Sequence, residues 1–315
     1  MSTYKEINGQ KVQSLSSDPP APFTGQVWYN TTSASLKYNA GALVSSWASG
    51  GNLNAGRGDG GGVGTATDAL GFGGQIPSSP NYSNLTEAYN GSWTTKPTIS
   101  TARFQLGQSG TTTSALGFGG YTPGARVVVT ESWNGSSWTN GPNMNTARYG
   151  LGGVGASNTE ALGFGGYTAS FAINNTETYN GSWTNSPTMN TGGSGVMGTG
   201  PVTATLAAGG SPGGTRTESY NGSWSNLNAM VTSRKNGGMT GTTSDAVIFG
   251  GDANITNVYN GTNWTTSATL NSGNPEALGR AGTSSTNALV FGGANGVATT
   301  QSLSISGGIR TITTS

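Results

Sequence analysis

The stretch ALGFGGYTASFAINNTETYNGSW, residues 161–183, decides how the chain folds. Ala161, Leu162, Gly163 and Phe164 alternate small and large, the period of two of a β-strand, and stop at the pair Gly165-Gly166. Thr176, Glu177, Thr178 and Tyr179 alternate again, Asn180-Gly181 follows, and Trp183 lies on the returning strand. Asn-Gly between such runs predicts a tight hairpin with a type I′ turn, in which both turn residues take φ > 0. The glycine pair lets the chain swing away where a side chain would clash.

The stretch recurs along the chain. Its glycine pair ends at Gly74, Gly120, Gly166, Gly210, Gly251 and Gly293, spaced 46, 46, 44, 41 and 42 residues apart. Its tryptophan returns at Trp47, Trp93, Trp138, Trp183, Trp224 and Trp264. A period of about 40–50 residues with four short strands per unit is the pattern of β-propeller blades. Hydrophobic strand, Gly-Gly, Tyr and then Trp resembles the kelch repeat, and the match runs from about Tyr38 to Gly293. The resemblance implies strands ordered outward from an axis: a glycine-rich run such as 148–156, then ALGF, then the Tyr strand, then the Trp strand. Leu162 and Phe164 share one face while Ala161 and Gly163 share the other, so the large side chains of one blade can seat on the small face of the next. Residues 69–72 and 115–118 repeat this split. The fixed tryptophan reads as core between blades, not as a ligand platform.

The chain starts and finishes in mid-unit. Residues 36–47 match the Tyr…Trp half without a glycine pair ahead, and residues 288–293 match the glycine-pair half with no Trp behind. Joining them completes a sixth blade from N- and C-terminal strands and removes open sheet edges. Residues 301–305 form a competing third strand that would leave 36–38 outside the ring, and a seventh, degenerate blade stays open as an alternative. The expected architecture is all-β: a six-bladed, alternatively seven-bladed, kelch-like β-propeller over residues 34–315, preceded by an extended arm, residues 1–33.

Within the arm, Asp18-Pro19-Pro20-Ala21-Pro22 is expected to be extended, because each proline fixes its own φ and biases its predecessor away from helix. GQVWYNTTSASLKY, residues 25–38, reads as two short strands around a polar turn. This arm resembles the N-terminal segment of structural and tail-fibre-like proteins of tailed bacteriophages, where DPxAP…GQ(V/L)WYN precedes repetitive β structure. The resemblance implies a virion attachment segment. The alternative is an edge hairpin that anchors nothing.

Composition narrows the function. Charged residues are 8% and glycines number 55 in 315, a composition of disordered chains that the placed periodicity overrules. A net charge of +1 exerts no pull toward nucleic acid or membrane. Without cysteine or histidine there is no thiol chemistry and no imidazole base or ligand. MSTYKEINGQKV lacks the apolar core of a secretion signal and no run of about 18 apolar residues follows, so the expectation is synthesis in a host cytoplasm and residence in a virion.

Tempting motifs dissolve on inspection. GDGGGVG, residues 58–64, lacks the Gly-Lys-Ser/Thr of a phosphate loop. The kelch-type copper oxidases need cysteine, tyrosine and histidine around the metal, and two of those types are absent. No sialidase-type S-x-D-x-G-x-x-W box is present. Glu87, Glu131, Glu177 and Glu218 each stand two residues before the Tyr or Trp of the third strand, a repeat position rather than an acid–base pair. No metal, cofactor or enzymatic activity is expected.

One repeated position invites a binding role. Arg57, Arg103, Arg148, Arg234 and Arg280 read as opening successive inner strands, with Gly192-Gly193 in the fourth copy. By the resemblance, the face that carries them also carries the residues after the glycine pairs, among them Gln75, Tyr121, Tyr167 and Ala294. Equivalent arginines in kelch adaptors grip acidic peptides. Alternatively the arginines pair with the repeat glutamates, Arg57 with Glu87 and Arg148 with Glu177, and hold the blades together. The connections after the first three glycine pairs, 75–85, 121–129 and 167–175, are longer than the last three. The leading reading is a non-enzymatic structural or adhesive virion protein, such as a tail fibre, head fibre or decoration component. Its partners would be other virion proteins through the arm and a host-surface glycan or receptor through the ring. A carbohydrate-binding lectin independent of any virion is the alternative, and a polysaccharide lyase using Tyr and Arg is a third, weaker class.

Overall fold

The computed structural model describes residues 12–20, 26–39, 44–77, 82–271, 279–293, 296–306 and 309–311. Its regular elements are strands, and the chain divides into two compact units, Met1–Ser45 with Ile305–Ser315, and Ser46–Ser304.

Five four-stranded antiparallel sheets follow one another along the larger unit. Sheet 1 is Gly61–Gly64, Ala69–Phe72, Thr86–Tyr89 and Trp93–Lys96. Sheet 2 is Gly107–Gly110, Ala115–Phe118, Thr130–Trp133 and Trp138–Gly141. Sheet 3 is Gly152–Val154, Ala161–Phe164, Thr176–Tyr179 and Trp183–Ser186. Sheet 4 is Met197–Thr199, Thr205–Ala208, Thr217–Tyr220 and Trp224–Asn226. Sheet 5 is Gly237–Gly241, Ala246–Gly250, Thr256–Tyr259 and Trp264–Thr266. Sheet 6 draws on both ends of the chain: Gly279–Ser284, Asn287–Phe291 and Thr300–Ser306, with Val44–Ser49 as its outer strand. The innermost strands neighbour one another in cyclic order, that of sheet 6 lying against that of sheet 1.

Side chains explain this stacking. The Phe that ends the second strand of sheets 6, 1 and 2 faces the second-strand glycine of the next sheet. A Cβ on Gly71 would lie 2.7 Å from Phe291, on Gly117 2.9 Å from Phe72, and on Gly163 3.0 Å from Phe118. The same phenylalanines meet the next sheet's outer tryptophan, Phe118 with Trp183 at 4.8 Å and Phe291 with Trp93 at 4.7 Å between ring centroids. Where sheet 4 has Ala208 instead of Phe, Met197 and Met239 pack in the cluster that holds Trp264. The tryptophans also reach back to the preceding sheet. Trp93 donates to Thr300, Trp138 to Thr86, Trp183 to Thr130, Trp224 to Thr176, Trp264 to Thr217 and Trp47 to Thr256, all at 2.9–3.1 Å. Apolar clusters and indole hydrogen bonds thus join every sheet to the next, sheet 6 to sheet 1 included. The arrangement is consistent with a β-propeller.

Two local expectations are corrected. Tyr179 pairs with Trp183, so Asn180-Gly181-Ser182 is a three-residue connection in which the glycine takes φ of 101° while the asparagine is not left-handed. A type I′ turn would need two residues of positive φ, and here one suffices. The third strand of sheet 6 is the C-terminal Thr300–Ser306, which displaces Leu36, Lys37 and Tyr38 into the smaller unit.

That smaller unit has its own sheet. Gln13–Leu15 runs parallel to Val27–Asn30, which pairs with Ser35–Asn39, which pairs with Ile309–Thr311. Asp18 pins it: its carboxylate accepts from the Trp28 indole at 3.0 Å and the Asn30 amide at 2.7 Å, and lies 3.3 Å from the Lys37 ammonium. The Asp of DPxAP and the Trp and Asn of GQVWYN are therefore one hydrogen-bonded cluster. Residues 1–11 and 21–25 of the expected arm lie outside the described residues. Among the described residues no helix is long and apolar enough to cross a membrane.

Candidate functional site

The arginine face does not present arginines. Arg57, Arg103, Arg148 and Arg234 precede the inner strands and are buried, with at most 4% of their surface accessible. Arg57 is paired with Glu87. The Arg103 and Glu131 side chains meet at 3.1 Å, and those of Arg148 and Glu177 lie 3.2 Å apart. Each of these guanidiniums also donates to the carbonyl of the second-strand glycine in its own sheet, Gly71, Gly117 or Gly163. The glutamates meanwhile cap the chain entering the sheet: Glu131 accepts from the Ser100 and Thr101 amides at 3.1 Å, and Glu218 from Asn190 and Thr191 at 2.8 and 3.1 Å. Asn257 replaces the glutamate in sheet 5 and accepts from Arg234 at 2.5 Å. Desolvation pulls the pKa of Arg148 and of Arg234 down to about 10, so both remain charged at neutral pH. A buried guanidinium held by a carboxylate and carbonyls braces the sheet and is closed to a ligand.

Sheet 4 lacks this arginine, and another fills its place. A Cβ built on Gly193 falls inside the guanidinium of Arg216, which donates to the Gly192 carbonyl at 2.6 Å. Arg216 reaches in from the start of the third strand.

Arg280 departs from the set. Gly282 pairs with Ala288 as Gly64 pairs with Ala69 and Gly110 with Ala115. Arg280 therefore corresponds to Gly62 and Gln108, two residues before those glycines, and not to the other arginines. It stands inside the strand Gly279–Ser284 and faces the central channel.

The other expected residues share the end of the larger unit where inner strands begin. Bridges pair Gln75 with Gly58 and Tyr82, Tyr121 with Phe104, and Tyr167 with Tyr149. The rings follow one another in an arc: Tyr82 to Phe104 at 5.4 Å, Phe104 to Tyr121 at 5.7 Å, Tyr121 to Tyr149 at 5.2 Å, Tyr149 to Tyr167 at 5.8 Å. All five rings are half-buried. The hairpin Tyr121–Thr122 and Ala125–Arg126 folds Arg126 over two of them, 5.6 Å from the Tyr121 centroid and 5.7 Å from that of Tyr149. Beyond Tyr167, Phe171 is 64% exposed. The matching positions of sheets 4 and 5 are Ser194 with Ser211 and Lys235 with Asp252, so the arc is confined to the side bearing the long connections. Ala294 lies outside the described residues.

Inside the arc the channel mouth is pinched. Asp59, Gln105, Gly150, Gly195 and Asn236 occupy one repeat position and all take left-handed backbone, with φ from 49° to 71°. Their backbones form a chain of hydrogen bonds from sheet to sheet, Gln105 to Asp59 at 2.7 Å, Gly150 to Gln105 at 2.9 Å, Gly195 to Gly150 at 2.7 Å and Asn236 to Gly195 at 3.1 Å.

Sequence reasoning found Tyr121 and Tyr167 from the glycine pairs but missed Phe104, Tyr149, Tyr82 and Arg126. Phe104 and Tyr149 were signalled by following Arg103 and Arg148 directly. Tyr82 and Arg126 lie in unequal connections with no counterpart in other repeats. Among the described residues no cluster of three His, Cys, Asp or Glu side chains could hold a metal ion. Comparison with known protein families and with curated proteins gives no match.

Proposed function

We propose that the larger unit is a six-bladed kelch-like β-propeller. In this reading the chain is a non-enzymatic structural or adhesive component of a phage particle, binding surface glycan or protein through its aromatic arc. The observation that carries the binding role is the run of five half-buried rings with Arg126 lying over Tyr121 and Tyr149. Rigid aromatic faces offer large contact area at little entropic cost, and they suit the C–H faces of sugars or apolar peptide side chains. A guanidinium already stacked on rings adds a fixed donor. The six cyclic indole bonds support the blade count, and the DPxAP…GQVWYN cluster, folded as a separate small sheet, supports an attachment module.

The test is binding of the full chain to host cells and to a glycan array. Tyr121→Ala with Tyr149→Ala should abolish binding at an unchanged melting temperature; undiminished binding would remove the arc from the reading. Mass spectrometry of purified particles separates a virion component from the alternative, a free-standing lectin using the same arc.

A further inference from the structure

The channel lined by the inner strands is wide at its other end. Opposite the pinched mouth, where the inner strands end, opens a cavity of about 670 Å³, within the size range of small-molecule sites. Backbone glycines and hydroxyls line it, including Thr65, Thr111, Thr112, Thr199 and Thr240. Arg280 lines both this cavity and the pocket of about 60 Å³ at the pinched end, and so does Gln108. These two side chains therefore divide the channel.

Among the described residues the partners of Arg280 are all neutral. It donates to the Gly198 carbonyl at 3.3 Å. With the Gln108 carboxamide turned so that its oxygen faces the guanidinium, that oxygen accepts at 2.9 and 2.8 Å while the amide nitrogen donates to the Leu106 carbonyl. The four other inner-strand arginine sites meet a carboxylate or, in sheet 5, Asn257. Burial alone pulls Arg280 down to about 10, with no carboxylate pulling it back. Among the described residues of the lining the one acid is Asp68, which takes the Thr112 hydroxyl at 2.7 Å, at the turn that follows the inner strand. The cavity thus has a cation at its floor and a hydrogen-bond acceptor at its rim.

We propose that this cavity binds an acidic sugar of the uronate type. Its carboxylate displaces the Gln108 oxygen to pair bidentately with Arg280, and a hydroxyl at the other end donates to Asp68. An ionised acceptor exchanged for a neutral amide strengthens both guanidinium bonds. The rim carboxylate selects a ligand that carries hydroxyl donors away from its charge and opposes a compact multivalent anion. The site is independent of the aromatic arc, at the other end of the channel.

Calorimetric titration of the full chain with glucuronate, glucose and inorganic phosphate tests this. Glucuronate should bind saturably and more tightly than phosphate, and glucose should not bind. Arg280→Met should weaken glucuronate about ten- to a hundredfold, the loss of charge-assisted hydrogen bonds. Gln108→Ala, which frees the guanidinium, should tighten it, and this arm stands even if Arg280→Met fails to fold. Tyr121→Ala should leave it unchanged. Equal binding of glucose, tighter binding of phosphate, or indifference to Gln108→Ala would each overturn the assignment.

Discussion

The indole nitrogen of Trp183 donates to the hydroxyl of Thr130 at 2.9 Å, from the outer strand of sheet 3 to the third strand of sheet 2, with both residues buried. The bond holds two sheets that share no backbone ladder. Breaking it strands a polar atom in a dry interface, at about 1–3 kcal/mol. Trp183→Phe and Thr130→Val should each lower stability by that order, and the double variant should cost less than their sum. Urea denaturation of the three variants checks this, and strict additivity would show that the bond couples nothing.

Glu131 gathers the Arg103 guanidinium, two backbone amides and the Ser100 hydroxyl at one buried point. Glu131→Ala should destabilise by about 3–5 kcal/mol, because it leaves a buried cation without its anion. Arg103→Met should cost less, since the three remaining donors still hold the carboxylate. The two denaturation midpoints should differ in that order. Neither variant should alter binding at the arc.

Arg216 and the missing arginine of sheet 4 form a natural exchange. Gly193→Arg alone should destabilise, because its side chain contests the space the Arg216 guanidinium holds. Arg216→Ala alone should also destabilise, by emptying that space. Combined, they rebuild the arrangement of sheets 1 to 3, and stability should recover. A double variant weaker than both singles rules out the exchange.

The small sheet should respond to acid. Hydrogen bonds, led by that from Asn30, hold the Asp18 carboxyl below its ordinary value of 3.8. A folded pKa below the unfolded one means stabilisation that is present above about pH 4 and lost as pH falls through the lower, folded value. The Trp28 indole resonance should therefore shift toward its free position below about pH 4. Asp18→Asn should remove that acid step. A Trp28 signal constant down to pH 2 in the native chain would contradict the assignment.

Truncation separates the two roles of the N-terminal segment. Removing residues 1–43 keeps Val44–Ser49, and the larger unit should still melt cooperatively. Removing residues 1–50 takes away the outer strand of sheet 6 and the indole bond from Trp47 to Thr256. That variant should expose the edge of Thr300–Ser306 and aggregate or melt broadly on heating.

Much of the fold was legible because its devices are local and repeated. The period of two in ALGF, the glycine pairs and the fixed tryptophan each act on neighbouring residues, and six copies leave little freedom in placing them. The alternation of Phe against Gly even foretold which face packs on which. By itself, then, the chain determined sheets of four strands, their inter-sheet tryptophans and the places where strands of one sheet turn into the next strand.

Tertiary structure decided what depends on residues distant in sequence competing for one place. Thr300–Ser306, not residues 36–38, supplies the third strand of sheet 6. Arg216 fills the gap at Gly193 from 23 positions away, a substitution no period reveals. Burial turned four surface arginines into braces, and register moved Arg280 from that set into the channel. Tyr149 became a neighbour of Tyr121 only when sheets 2 and 3 stacked. Side-chain periodicity specifies which face a residue takes, whereas its partner across a sheet boundary is set by packing alone.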